Sequence, residues 1–320
     1  MEKKMKATRE GYAEALLLLG EKNPNIVVMD ADLSKSTLTM RFAEKFPDRF
    51  IDMGISEQDM LGTAAGLAKV GKIPFVSTYG VFVSGRAWEQ IRTTVCYGEF
   101  NVKIGGAHGG ISVGPDGATH QSLEEIALMR VLPNMNVLVP CDAIETRKAT
   151  LASVEINGPV YIRFGREPIP VITEEDTPFE FGRAETFREG SDITVIACGY
   201  EVGEALKAAE EVEKEKGISV RVINLHTIKP IDKEAIIKAA KETGAIVTAE
   251  EHQAMGGMGS AVSEVVVQNY PVPMKIVGVQ DRFGESGQPE ELLDAFGLTA
   301  RFIKDAVIET LERKKQLAAC

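Results

Sequence analysis

Short apolar blocks alternate with amphipathic stretches along almost the whole chain. Ile26–Met29, Phe75–Thr78, Val102–Ile104, Val137–Val139 and Val160–Arg163 are hydrophobic runs of strand length, and Arg49–Met53 is a further candidate. Between them Glu10–Leu19, Met60–Val70, Ala87–Tyr97 and Ile144–Val154 read as helices. Continuously apolar strands are buried on both faces, and strands alternating with helices imply parallel sheets covered on both sides. In such sheets functional groups gather at the carboxyl ends of strands. Asp30 and Asp32 after the first block, and His108 after Val102–Ile104, fall at such ends.

The alternation lapses from Pro168-Ile169-Pro170 to Phe179-Glu180-Phe181-Gly182, a proline-bearing, acidic stretch that reads as a linker. It then resumes. Asp192–Cys198, Val220–Leu225, Ile246–Ala249 and Lys275–Val279 read as strands. Val202–Lys216, Lys233–Thr243, Ala261–Gln268 and a closing segment from about Ala300 to Gln316 read as helices. The expectation is an α/β protein with two doubly wound domains and mostly parallel sheets, residues 1–178 and 179–320.

Composition sharpens this in few places. A net charge of −11 argues against nucleic acid or an anionic membrane as the main partner. It leaves room for a phosphorylated small molecule, because local arginines can outweigh the global charge. Cys96, Cys141, Cys198 and Cys320 show neither CxxC pairing nor metal-ligand spacing, so a reduced compartment is expected. Residues 1–6 lack the apolar core of a signal peptide, and no apolar run is long enough to span a bilayer. Cytoplasm is the expected location.

Two segments carry candidate chemistry. Gly54-Ile55-Ser56-Glu57-Gln58-Asp59-Met60 puts one carboxylate at the start of a helix of small and apolar residues. Alone, Glu57 reads as a helix N-terminal acid worth tenths of a kcal/mol. With Phe75, Tyr79 and Phe82 it could line a slot for a flat heterocycle and bond a ring nitrogen, although the aromatics also suit an ordinary core. The second segment, His108 and then Gly114-Pro115-Asp116-Gly117-Ala118-Thr119-His120-Gln121, gathers two imidazoles and a carboxylate on a glycine-rich loop. An acid poised to exchange a proton, near a His/Asp/His cluster, suits carbanion chemistry at a carbonyl. In the second half, Gly256-Gly257-Met258-Gly259-Ser260 reads as close helix packing or a phosphate cradle. Glu250-Glu251 reads as an interface or solvated pair, and His226 and His252 as structural or surface residues.

Together these motifs resemble the thiamine-diphosphate enzymes of the transketolase family. Gly54–Met60 is similar to the family's Gly-Val-Arg-Glu-His-Ala-Met, and His108 to Gln121 to its His-x7-Asp-Gly-Pro-Thr-His-Gln. Ala7-Thr8-Arg9, Ala31-Asp32-Leu33-Ser34-Lys35-Ser36 and Pro159–Arg166 resemble three further family segments, in the family's order. The resemblance implies that Glu57 bonds the cofactor's aminopyrimidine nitrogen, with Tyr79 and Phe82 around that ring and Asp32 near the cofactor. The cofactor's carbanion would then attack a ketose carbonyl. It implies further that His108 and His120 contact the donor's oxygens, Asp116 its C2 hydroxyl, and Arg9, Ser36 and Arg166 its phosphate. Departures from the pattern are Ser56, Gln58 and Asp59 beside the acid, Gly85 for a pocket tyrosine, and Gly109-Gly110 for an Asp-Ser pair. Arg86 is closer to the arginine of deoxyxylulose-phosphate synthases.

The family's diphosphate and metal motif, Gly-Asp-Gly…Asn-Asn, has no counterpart, and none of this chain's residues is assigned to metal. The resemblance therefore implies the C-terminal subunit of a split transketolase, with an N-terminal subunit supplying magnesium or a similar divalent cation, as an α2β2 assembly. It would move a two-carbon ketol unit from a ketose phosphate to an aldose phosphate. The rivals are a 2-oxo acid dehydrogenase β-type subunit, a deoxyxylulose-phosphate synthase half, and a non-catalytic assembly subunit. The second half matches the family's C-terminal domain more loosely and is expected to serve dimer contacts.

Overall fold

A computed structural model describes residues 4–319, so Cys320 and the start of the leader reading lie outside the described residues. In the first half, β1 (Met5–Ala7) leads into α1 (Thr8–Lys22), and β2 (Ile26–Asp30) into α2 (Ser34–Thr37) and α3 (Met40–Lys45). Next come β3 (Phe50–Asp52), α4 (Glu57–Lys69), β4 (Ile73–Tyr79), α5 (Gly80–Arg86) and the single turn α6 (Trp88–Gln90). Then follow β5 (Lys103–Ala107), α7 (Glu125–Arg130), β6 (Asn136–Leu138), α8 (Ala143–Ser153), β7 (Val160–Phe164) and β8 (Pro168–Pro170). The second half holds β9 (Glu185–Arg188), β10 (Ile193–Ala197), α9 (Glu201–Lys216), β11 (Val220–Asn224) and β12 (Thr227–Lys229). It closes with α10 (Lys233–Thr243), β13 (Ile246–Gln253), α11 (Met258–Asn269), β14 (Met274–Val279), α12 (Pro289–Ala295) and α13 (Ala300–Ala318).

The larger sheet has seven strands in the order β12-β6-β7-β5-β4-β2-β3, all parallel except the pairing of β12 with β6. The second has five, β14-β13-β10-β11-β9, parallel except for β9. Both are doubly wound α/β sheets, as the alternating pattern implies. Strands β2, β5 and β7 are buried at every position, which is why they read as continuous rather than alternating apolar runs. One face of the first sheet packs Tyr12, Leu16, Phe75 and Phe164 under α1 and α8. The other face packs Met60, Ile91 and Ile104, and this core runs on through Val139 into Ile196, Leu225 and Met258 of the second half.

Several details depart from the sequence reading. The stretch read as a linker contains β8, which pairs antiparallel with β1 (Met5 opposite Pro170, Lys6 opposite Ile169). Prolines lack an N–H, so this strand sits in a two-stranded ribbon rather than inside a sheet. Strand β12, although it follows β11 in sequence, joins the first sheet, so backbone hydrogen bonds tie the halves together. The single helix expected over Ala87–Tyr97 is α6 followed by a π-helical turn, Ile91–Cys96, where Tyr97 donates to the Arg92 carbonyl. That turn carries the β-branched Ile91, Thr93, Thr94 and Val95, whose crowding against the preceding turn disfavours regular α-helix. Helix α12, absent from the sequence reading, starts with Pro289 followed by Glu290 and Glu291.

Candidate functional site

Tyr79 ends β4 and Phe82 lies in the first turn of α5, so both project at the carboxyl edge of the sheet. Tyr79 stacks on Phe82 (centroids 5.6 Å apart, planes at 17°) and on the His108 imidazole (4.0 Å, 20°). His120 meets both aromatic rings edge-on, at 5.8 and 5.3 Å. The result is an aromatic shelf with two imidazoles. His108 directly follows β5 at φ 57°, an uncommon conformation for a residue with a side chain, and is 1% exposed. Burial first, then the positive Arg9 and Arg166 and the neighbouring His120, pushes its pKa down to about 3. His108 is therefore neutral at physiological pH, and its buried Nδ1 has no hydrogen-bond partner among the described residues. His120 shares a 2.8 Å hydrogen bond between Nδ1 and Thr119 Oγ1.

Glu57 is the first residue of α4 and is 5% exposed. Its Oε1 accepts a hydrogen bond from Arg86 Nη1 at 2.9 Å, and the Arg86 guanidinium lies 4.0 Å over the Phe82 ring. The acid and the aromatic shelf are thus linked. A third group comes from α1, α2 and the segment after β7. Arg9 Nη1 donates to the Ser36 carbonyl at 2.9 Å, while its buried Nε has no partner among the described residues. Burial and the nearby Arg166 cation lower the Arg9 pKa. Arg166 Nη1 pairs with Asp116 Oδ2 at 3.2 Å and its Nε faces Glu167 at 3.3 Å. The two guanidinium groups thus lie near each other beside the neutral His108 imidazole, with Arg166 paired to Asp116 and Glu167.

The structure thus gathers Glu57, Tyr79, Phe82, His108, His120, Arg9, Ser36, Asp116 and Arg166 into one linked region. Asp32 stands apart. It is exposed at φ 60°, its amide donates to Asp52 Oδ1 at 3.1 Å, and among the described residues its side chain makes no hydrogen bond to the cluster. Its buried neighbour Asp30 instead organises this corner, accepting from Leu33 N and from the hydroxyls of Thr37 and Thr39. Burial raises the Asp30 pKa to about 6.

The sequence reading missed how the imidazole loop is held. Arg163, buried on β7, binds Glu125 and donates from Nη2 to the Glu251 carbonyl at 2.7 Å. Burial alone would lower its pKa, but Glu125 and Glu251 outweigh that and raise it. Glu251 Oε1 accepts the Ser112 amide at 2.6 Å, and Gln121 Nε2 donates to the carbonyls of Ile111, Gly114 and Glu285. The loop is therefore gripped by second-half residues. The visible signal was Gly109-Gly110: a Cβ at Gly109 would lie 2.5 Å from Arg163 Nε, and one at Gly110 2.2 Å from the Glu251 carboxyl carbon. Neither Glu250, Glu251 nor His252 is solvated, since all three are buried on β13. Glu250 also settles the glycine segment, because its carboxylate takes the Met258 and Gly259 amides at the start of α11, where a phosphate would need them. A cleft of about 690 Å³ between the halves meets the site only through Ser112 and Glu167.

The described residues form an α/β protein with mostly parallel sheets, and the linked cluster lies at the carboxyl edge of the larger one, where such folds place ligand sites. Residues 4–171 match the family description "Transketolase, pyrimidine binding domain", and residues 182–303 match "Transketolase, C-terminal domain". The chain belongs to the transketolase family. It is 46% identical, over 97% of its length and 98% of the relative's, to a "Putative transketolase C-terminal section" from Methanocaldococcus jannaschii. It is 44% identical, over 96% of its length and 95% of the relative's, to "6-deoxy-6-sulfo-D-fructose transketolase subunit SqwH" from Clostridium sp. (strain MSTE9). Among solved structures, "Split gene transketolase, inactive beta4 tetramer" superposes with a TM-score of 0.90 at 52% identity, covering 96% of this chain and 99% of that one. These matches bear out the family resemblance and its C-terminal-section form. No helix among the described residues is long and apolar enough to cross a membrane.

Proposed function

We propose that this chain is the C-terminal subunit of a split transketolase, transferring a two-carbon ketol unit between sugar phosphates at a site shared with an N-terminal subunit. The observation that carries the reading is the joining of three groups on one edge: a buried acid, an aromatic shelf bearing imidazoles, and a pair of arginines. The residues fit the pyrimidine half of thiamine diphosphate. Phe82 and Tyr79 offer a flat apolar surface, Glu57 a nearly dry carboxylate beside it, and the Cβ position of Gly85 is open space. Held by these residues, the ring would belong to a cofactor that supplies carbanion chemistry at a carbonyl.

The chain's own groups would do the rest. Glu57 would hold the ring nitrogen through a hydrogen bond. His108, kept neutral by burial, can donate from one ring nitrogen and accept at the other toward the donor's oxygens. His120, edge-on to both rings of the shelf, would contact those oxygens as well, and Asp116 would receive the C2 hydroxyl. Arg9, Ser36 and Arg166 hold the sugar's terminal anion, and Asp116 and Glu167 neutralise Arg166 until it arrives. The clostridial relative's name carries a sulfosugar, and paired guanidinium groups suit a tetrahedral sulfonate as well as a phosphate. Asp32, standing outside the cluster, would reach the cofactor only from the subunit boundary.

The sequence holds no Gly-Asp-Gly, so the diphosphate and its divalent cation fall to the N-terminal subunit, most simply in a cytoplasmic α2β2 assembly. A division into domains at residues 178 and 179 accompanies this reading. The anion clamp favours it over a 2-oxo acid dehydrogenase subunit, which needs none, and His108 favours it over a deoxyxylulose-phosphate synthase half. Glu57→Ala, tested in the reconstituted two-subunit enzyme, should abolish ketol transfer while the thermal midpoint stays within a few degrees. Retained turnover would remove Glu57 from the chemistry and the reading with it.

A further inference from the structure

Arg86 is the one feature of the site that the ketol-transfer reading does not absorb. It stands four residues after Phe82 on α5, the spacing that lets a long side chain lie back over the earlier residue. Its planar guanidinium sits 4.0 Å over the Phe82 ring and at the same time donates from Nη1 to Glu57 Oε1 at 2.9 Å. A flat, nitrogen-bearing group lying over this aromatic ring and bonded to this carboxylate makes the two contacts expected of an aminopyrimidine in the pocket. The two cannot occupy the same face of Phe82 together.

We propose that Arg86 is a built-in stand-in for the cofactor's pyrimidine ring, occupying its place in the free subunit and swinging out when the ring enters. This inference rests on the reading of the site as a pyrimidine pocket and deepens it. The stand-in satisfies the nearly dry Glu57 carboxylate, whose side chain has no other hydrogen-bond partner among the described residues. Release is easy, because the Arg86 side chain is 51% exposed and can extend into solvent. Only the side chain has to move: the Arg86 carbonyl is held by Gln58 Nε2 at 3.1 Å, on the same helix as Glu57. Gln58 stands at one of the positions where the chain departs from the family's usual neighbours of the acid, and it gains a purpose as the anchor of this switch. Arg86 acts through Glu57 and Phe82 and is a positioning residue.

The test uses the full chain without a partner and thiamine as the probe, since thiamine carries the aminopyrimidine but needs no diphosphate or metal site. Binding is followed to millimolar concentration by calorimetry and by the fluorescence of Trp88, the only tryptophan, two residues from Arg86. Arg86→Ala should bind thiamine more tightly than wild type by on the order of tenfold, the size set by a half-exposed ion pair and a cation–π contact together. Arg86→Lys keeps the charge but loses the plane and should fall between them. Glu57→Ala should lose binding in either background, and a thiazole fragment without the pyrimidine should show no difference between variants. Glu57-dependent binding that is equal or weaker in Arg86→Ala would overturn the stand-in while leaving the pyrimidine pocket intact. Absence of Glu57-dependent binding in every variant would remove the pocket reading and the stand-in together.

Discussion

His108→Asn should flatten the acid limb of this protein's stability. In the folded chain the imidazole resists protonation until about pH 3, against 6.5 for the free side chain, because it is buried and faces Arg9, Arg166 and His120. The unfolded chain takes up that proton near pH 6.5, so between the two values the unfolded state binds more protons and the native state loses stability as pH falls. At roughly 1.4 kcal/mol per unit, the full depression amounts to about 5 kcal/mol at the acid end and to nothing above pH 7. Asparagine does not titrate and tolerates the positive φ of this position, but it forfeits the stack on Tyr79, worth roughly 0.5–1.5 kcal/mol at any pH. The variant should therefore be slightly the weaker protein at neutral pH and the stronger one below about pH 5.5, where the histidine's loss exceeds the stack's gain. Urea midpoints measured across this range give the crossing. Imidazole NMR gives the titration directly, and four histidines make the spectrum easy to assign. His226, pushed down to about 4 by burial, keeps a residual slope in the variant. Parallel curves, or a His108 titration near 6.5, would refute the reasoning.

Three further outcomes follow from the packing of the loop and the anion clamp. Glu251→Gln should loosen the Ser112 amide and raise hydrogen exchange across residues 109–121, with little change in the remote sheet; unchanged exchange there would deny Glu251 its grip on the loop. Arg163→Met should cost about 3–5 kcal/mol by stranding the buried Glu125, and a second change, Glu125→Gln, should recover part of that; additive losses would show that the pair is not coupled. In the two-subunit enzyme, Arg166→Ala should raise KM for phosphorylated sugars far more than for unphosphorylated ones, and equal effects on both would sink the clamp.

Much of the architecture was legible because its strands are buried on both faces, so each appears as an uninterrupted apolar block between amphipathic helices. What escaped depended on partners distant in sequence. Strand β8 looks like linker because its prolines suit only a short ribbon with β1, and β12 cannot be assigned to the first sheet before β6 is in place. Glu250 and Glu251 look like solvent-facing acids until β13 carries them between the halves to Arg163, Ser112 and the start of α11. In the site, Glu57, His108 and His120 could be named from motifs, and their grouping needed the fold. Gly109-Gly110 marked the close approach of Arg163 and Glu251 without saying what approached. Asp32 was named from its motif, and the fold places it exposed at positive φ with its amide on Asp52, apart from the linked cluster.

The central claim is a ketol-transfer site completed by a second polypeptide. The most direct measurement isolates this chain from its native lysate and assays the eluate for ketol transfer from a ketose phosphate, with thiamine diphosphate and magnesium added. The account predicts a co-purifying chain bearing the Gly-Asp-Gly…Asn-Asn motif and transfer that depends on the cofactor. Such a partner without ketol transfer, or cofactor-dependent transfer by this chain alone, would contradict it.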